Sequence, residues 1–385
     1  MLLMNKFILI FFFLLFTINS YAEHQPISYD FNQWYRYEIK SKKNFNKFNF
    51  DLIKDKYISK QIQNNKSSGL ISYLLFEDNK IVIDESNIPG WIRDFGPNQR
   101  NNYLASYSVG KSLVSYILGH SICEGYIRGI DAELNDWSIL DNTLYHGQKL
   151  IDLLNMTAGD QKYIGQRPNV TKKDFYDNMD TYLKGTKIYV YGIPLKNLMK
   201  YYFQNSKKDK PVYNYSGMAT TIIFNYIHYK AGENFDKLLS KIFAEHIKIG
   251  DNVYFQKNNP DLSLSSLNNH FYAKRYDYLR IAKAIMDDWN NDTCVGKYLK
   301  TVYEMRINKK REKFSNKAEF QYTKKYGGQF HFDLVGLANR KIMAMGGYGG
   351  QSILIDFEKG RIIVVHSIDR HYNWKKIVYN KIKKK

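Results

Sequence analysis

The chain has 385 residues and a mass of 45.5 kDa, more than twice a typical single domain, so one large domain with an insertion or two small ones are expected. Hydrophobic residues make up 44% of it and its mean hydropathy is -0.49, which supplies a core and excludes a polytopic membrane protein. Lys and Arg outnumber Asp and Glu by 57 to 37, a formal net charge of +20; the basic residues are spread along the whole chain, so the surplus reads as compositional bias with no nucleic-acid partner, and peripheral contact with an anionic envelope surface is the remaining charge-based expectation.

Lys6 precedes an unbroken apolar run from Phe7 to Phe16, followed by Thr17-Ile18-Asn19-Ser20-Tyr21-Ala22. The basic start, short apolar stretch and small residues at Ser20 and Ala22 have the layout of a secretory signal peptide cleaved after Ala22. Ten apolar residues fall well short of the roughly 20 that cross a bilayer. A periplasmic or secreted protein is expected. Cys123 and Cys294 are the only cysteines, too few for a disulfide-built scaffold, and are read as two buried thiols, although one bridge is allowed in an oxidising compartment.

Residues 23–66 are polar, aromatic and lysine-rich without clean periodicity, and read as a leader segment wrapping onto the main body. Leu70–Phe76, a turn at Glu77-Asp78-Asn79-Lys80, and Ile81–Glu85 predict a β-hairpin. A second hairpin is predicted near the other end, from Ser352–Asp356, a turn through Glu358-Lys359-Gly360, and the β-branched run Arg361–His366. Between them the apolar spacing is helical in Leu150–Leu154, Ile222–Ile227 and Tyr278–Ile285. The economical architecture is α+β: an antiparallel sheet formed from both ends of the chain, flanked by helices, with an inserted mainly helical domain. The boundaries expected are a signal peptide at 1–22, the leader at 23–66, a sheet part at 67–120 and 325–385, and a helical part at 121–324. The tail from His371 to Lys385 reads as a terminal helix packed on the sheet.

Ser108-Val109-Gly110-Lys111 is the only S-x-x-K in the chain, and the apolar stripe Leu113, Val114, Ile117, Leu118 continues from it as a helix. Ser108 and Lys111 then lie one turn apart on one face. Ammonium is disfavoured both at the positive end of a helix dipole and in a partly buried site, so the pKa of Lys111 is pushed down. A neutral lysine can take the proton of Ser108 and make it a nucleophile, with the Ser108 amide placed to stabilise an oxyanion. Taken alone, the pattern is equally that of a solvated serine and lysine. A competing P-loop reading of Ala105–Ser112 lacks its first glycine, since Ala105 stands there. The histidines, including His331, His366 and His371, show no metal-ligand spacing, and no G-x-S-x-G elbow occurs. No metal and no organic cofactor are expected.

Further segments join Ser108–Lys111: Tyr213-Asn214-Tyr215-Ser216-Gly217 before a helical run, Gly346-Gly347-Tyr348-Gly349-Gly350-Gln351 before a strand, Gly125–Asp131, and Leu150–Gly159. Together, and in this order, they resemble the penicillin-binding-protein and β-lactamase superfamily of serine hydrolases, most of all its class C-like branch of esterases and aminohexanoate-dimer hydrolases. The resemblance runs from about Gly69 to Trp374 and implies a β-lactamase-like fold. It implies Ser108 as nucleophile, Lys111 as base, and Tyr215 sharing the proton relay, with Tyr213 the rival by proximity. It places the third motif at Tyr348, Gly349, Gly350 and Gln351 as oxyanion and substrate-binding residues, with an amide at about Gly350 the second oxyanion donor. Two departures stand out: Gly217 replaces the usual asparagine, and the third motif has no cationic residue.

The expected activity is that of an exported serine hydrolase cleaving an ester or amide, or a peptide-like small substrate, through an acyl-enzyme on Ser108. Loss of the third-motif cation favours an esterase or amidase over the alternative of a D,D-carboxypeptidase or β-lactamase. A non-catalytic binding or sensor module of the same fold is the other alternative. Substrate identity and oligomeric state are not legible in the sequence.

Overall fold

The computed structural model describes residues 35–42, 44–89, 102–164, 193–309, 323–369 and 381–382. The apolar run at 7–16, the proposed cleavage point and nearly all of the predicted terminal helix lie outside them. In chain order the strands are β1 (Tyr35–Ile39), β2 (Asn49–Phe50), β3 (Leu70–Glu77), β4 (Lys80–Ser86), β5 (Leu104–Ala105), β6 (Val253–Lys257), β7 (Leu267–Ala273), β8 (Ile307–Asn308), β9 (Thr323–Gly327), β10 (Phe330–Leu334), β11 (Ile342–Gly346), β12 (Ser352–Asp356) and β13 (Arg361–Ser367). The helices that matter for the site are α1 (Lys56–Gln63), α2 (Val109–Cys123), α3 (Leu150–Leu154), α4 (Leu195–Tyr201), α5 (Met218–Ala231), α6 (Phe235–Ser240), α7 (Arg275–Asn290) and α8 (Cys294–Glu304), with a π-helical turn at Lys241–His246.

Both hairpins form as the β-branched runs predict, and they meet. The main sheet runs β2-β4-β3-β13-β12-β11-β10-β9-β8, so the first hairpin pairs with the last strand through Val364↔Leu74 and its neighbours. All its neighbours are antiparallel except β2 and β4. An α+β sheet built from both chain ends and flanked by helices is therefore the architecture observed.

The middle of the chain is less purely helical than its spacing suggests. It contributes β6 and β7 to a second sheet, ordered β1-β6-β7-β5. Strand β7, Leu-Asn-Asn-His-Phe-Tyr-Ala, is buried along its whole length, so its polarity does not alternate as it would on a half-solvated strand. Asn268 donates to Asn258 Oδ1 at 3.2 Å and accepts from the His270 amide at 3.1 Å, which satisfies polar groups no water reaches. The leader also has a definite place: β1 pairs antiparallel with β6 from Tyr35↔Lys257 to Ile39↔Val253, and β2 pairs with β4.

Helix α2 is central. It is buried from Val109 through Ser121, so its apolar residues surround it instead of forming one stripe. Its hydroxyls find partners in the core, Ser112 donating to the Gln329 carbonyl at 2.7 Å and Ser115 pairing with the Tyr298 hydroxyl at 2.8 Å. Its far end is stapled to the start of α8 by a disulfide between Cys123 and Cys294, 171 residues apart. The expectation of two buried thiols is thereby corrected: the fold brings the two Cα atoms to 5.9 Å, within bridging distance.

Candidate active site

The chain reaches α2 through a tightly constrained turn. The Ser106 amide donates to the Phe271 carbonyl at 2.7 Å and the Phe271 amide donates back to Ser106 Oγ at 2.9 Å, which ties the turn to β7. Tyr107 then adopts φ 47°, in the left-handed region that non-glycine residues rarely occupy. The first amides of the helix, at Val109, Gly110 and Lys111, donate to the carbonyls of Ser106, Tyr107 and Ser108. Ser108 therefore stands at the N-cap of a buried helix.

One turn further on, Lys111 Nζ lies 3.1 Å from Ser108 Oγ. Lys111 is only 6% exposed, and burial lowers its pKa from 10.5 to about 8. Its ammonium also sits 5.2 Å from the centroid of the Tyr215 ring, so the serine, lysine and tyrosine expected from the sequence converge. Tyr215 packs edge-on to Tyr326 with ring centroids 5.9 Å apart and lies 6.4 Å from the His331 ring. Tyr213 also packs against Tyr326, at 5.4 Å, and its hydroxyl is pushed well above the ordinary phenol range by burial, with a smaller contribution from Tyr215.

The segment Leu150–Gly159 is the platform for the tyrosines. The Asn214 amide donates to the Met156 carbonyl at 2.8 Å, and the Asn214 side chain donates to Asp160 Oδ1 at 3.0 Å, while Tyr145 donates to the other oxygen of Asp160 at 2.9 Å. Gly159 turns with φ 72° and lies against the backbone of Asp209, where a Cβ would stand 2.4 Å from the carbonyl oxygen. The residue before Tyr215 is thus anchored by one backbone and one buried side-chain hydrogen bond.

The glycine-rich turn 347–350 also reaches the site. A Cβ on Gly347 would meet the Ser106 carbonyl at 2.7 Å, and one on Gly349 would meet the Tyr107 ring at 3.1 Å, so the turn lies directly against the residues that precede the nucleophile. Within it the roles differ from expectation. The Gly350 amide donates to the Gly347 carbonyl at 3.1 Å and the Gly349 amide to Gln351 Oε1 at 3.0 Å. Gln351, 7% exposed, also donates from Nε2 to the Ser367 carbonyl at 3.2 Å. The Gly350 amide is therefore engaged in closing the turn and is not presented as an oxyanion donor, and Gln351 holds the turn instead of facing a substrate. Tyr348 is 37% exposed at the apex.

Sequence reasoning missed the two imidazoles whose titration feels Lys111. His270 is pushed down to about 3 by burial and then by the Lys111 charge, and His331 well below its ordinary range by burial, Lys309 and Lys111. Both are poor bases in this setting. Lys309 Nζ lies 3.3 Å from His331 Nδ1. His270 lies on the buried strand β7 and His331 on β10, strands of two different sheets that are far apart in sequence. A lone histidine among buried residues carries no local signal of such placement.

No protein-family model and no curated protein sequence matches this chain. Solved structures do. The fold is similar to that of a protein from Bacillus anthracis named as a 6-aminohexanoate-dimer hydrolase, with a TM-score of 0.62 and 13% identity over 91% of this chain and 89% of that one. It is similar to a D-stereospecific amidohydrolase from a Streptomyces species, at 0.55 and 12% over 86% and 99%, and to a penicillin-binding protein from Bacillus halodurans, at 0.56 and 13% over 86% and 99%. At these identities the likeness is one of fold: the chain has the fold of the β-lactamase and penicillin-binding-protein hydrolases.

Proposed function

We propose that the protein is an exported serine hydrolase that cleaves an ester or amide through an acyl-enzyme intermediate on Ser108. The observation that carries this reading is the 3.1 Å approach of a buried, pKa-lowered Lys111 to Ser108 Oγ. Neutral Lys111 takes the hydroxyl proton as Oγ attacks the carbonyl carbon. The resulting oxyanion is stabilised by the Ser108 amide at the head of α2. Collapse of the tetrahedral species expels the alcohol or amine, which receives the proton through Lys111 and Tyr215. Water, deprotonated by the same relay, attacks the acyl carbon and releases the acid with Ser108 restored.

The bridge between Cys123 and Cys294 supports export, because such bonds persist in oxidising compartments. It accords with the layout of residues 1–22. The absence of Lys or His from Gly347-Tyr348-Gly349 favours a neutral ester or amide over a carboxylate-bearing β-lactam.

The test is intact-mass labelling of the protein with a fluorophosphonate and, separately, with a penicillin, comparing wild type with Ser108→Ala. The expected result is one fluorophosphonate adduct that disappears in the variant. Penicillin labelling as well would move the substrate toward cell-wall peptides. Labelling by neither probe would overturn the reading in favour of a non-catalytic module.

A further inference from the structure

At the end of α2 far from Ser108, three potential ligands converge from three elements. His120 comes from α2, His246 from the π-helical turn, and Asp288 from α7. One ligand atom of each lies within 4.8 Å of the other two. His246 Nε2 is 3.0 Å from Asp288 Oδ2, and the His120 and His246 rings meet edge to face with centroids 5.0 Å apart. We infer that His120, His246 and Asp288 form a binding site for a divalent transition metal of the zinc type.

The observation that distinguishes this from an ordinary ion pair is His120 itself. It is 9% exposed, and its Nε2 is buried without a hydrogen-bond partner. A buried ring nitrogen normally has a partner, and leaving one without costs its desolvation. A metal supplies the partner that the described residues do not. The donor set fits zinc: two imidazole nitrogens and one carboxylate oxygen make the three-protein-ligand set, with water in the fourth position. A single carboxylate is far from the six or more oxygens that calcium takes, and imidazole favours zinc, copper or nickel over magnesium.

The surroundings support the ligands. Asp288 Oδ2, the oxygen that faces His246, also accepts from the Tyr116 hydroxyl at 2.5 Å, while Thr293 Oγ1 donates to the other oxygen at 2.8 Å, and together these contacts orient the carboxylate. Lys241 is the nearby cation, and Glu124 pairs with it at 2.7 Å. The His246 side chain is 39% exposed, so an ion has a route in.

The site lies apart from the chemistry at Ser108. Ser108 and His120 are twelve residues apart on one helix, about 18 Å along its axis, and the cluster sits beside the Cys123–Cys294 bridge. The metal would join α2, the π-helical turn and α7 where the disulfide joins α2 to α8.

The experiment is isothermal titration of the EDTA-treated, non-reduced protein with zinc chloride, alongside His246→Gln and His120→Phe, each checked for native near-ultraviolet dichroism. One equivalent of zinc should bind the wild type and raise its melting midpoint saturably. Affinity should fall on the order of 100-fold or more in either variant, since each removes one of three protein ligands. Cobalt should give the wild type, but not His246→Gln, the visible absorption of a tetrahedral ion. Absence of saturable binding at one equivalent would overturn the inference, and so would equal affinity in His246→Gln, which marks binding by other surface histidines. Fluorophosphonate labelling of Ser108 should be unchanged by zinc or EDTA, so the two assignments fail separately.

Discussion

A Cβ added to Gly110 would stand 1.7 Å from the carbonyl oxygen of Asn269. No real contact is that short, so the glycine between Ser108 and Lys111 exists because α2 lies directly on the backbone of β7. Gly110→Ala should therefore force the helix off the strand, destabilising the protein by about 3 kcal/mol or more and displacing Ser108 from Lys111. Thermal unfolding together with fluorophosphonate labelling checks this; a variant with wild-type stability and labelling would contradict the packing described.

Lys111 links activity to instability. Its folded-state pKa of about 8 lies below its ordinary 10.5, so between these values the unfolded chain binds more protons and stability rises with pH. Below about pH 8 the full penalty of burying the ammonium applies, about 3 kcal/mol. Lys111→Met should abolish turnover while stabilising the protein at pH 7 by up to that amount. In the wild type, kcat/KM should rise as pH increases through about 8, where the lysine becomes neutral. A profile flat from pH 6 to about pH 9 would remove Lys111 as the base.

Tyr215 and Tyr213 both pack on Tyr326, but the ring of Tyr215 lies 5.2 Å from Lys111 Nζ. Tyr215→Phe should lower kcat on the order of 10²-fold or more with little change in melting midpoint, because the ring contacts persist. Tyr213→Phe should leave turnover near wild type. The opposite pattern in steady-state kinetics would exchange the two assignments.

The Cys123–Cys294 bridge closes a loop spanning 171 positions of sequence. Cys123→Ser combined with Cys294→Ser should lower stability by roughly 3 kcal/mol, and dithiothreitol should lower the wild-type melting midpoint but not that of the double variant. Equal responses of the two proteins to reductant would show that the bridge is not formed in solution.

Much of the fold was legible because its determinants are local. The hairpins at Leu70–Ser86 and Ser352–Ser367 are β-branched runs broken by turn residues, and the helices at Leu150–Leu154, Met218–Ala231 and Arg275–Asn290 carry their spacing openly. Strand β7 was not legible, because Asn268, Asn269 and His270 are buried polar residues whose partners lie elsewhere. The turn 347–350 was found by its glycines, but which of its amides are engaged depends on Gln351 folding back onto Gly349 and Ser367.

What the sequence alone determined is the set and order of chemical groups: a serine and lysine one helical turn apart, a tyrosine segment, a glycine-rich turn, and hairpins at either end of the main body. These are short-range patterns, set by residue type and spacing within a few positions. Only the tertiary structure decided that Lys111 is buried enough to lose its proton near pH 8, that Cys123 meets Cys294, and that His120, His246 and Asp288 share one corner of the core. Desolvation and coordination depend on what the rest of the chain packs around a group, and that is a property of contacts between distant segments.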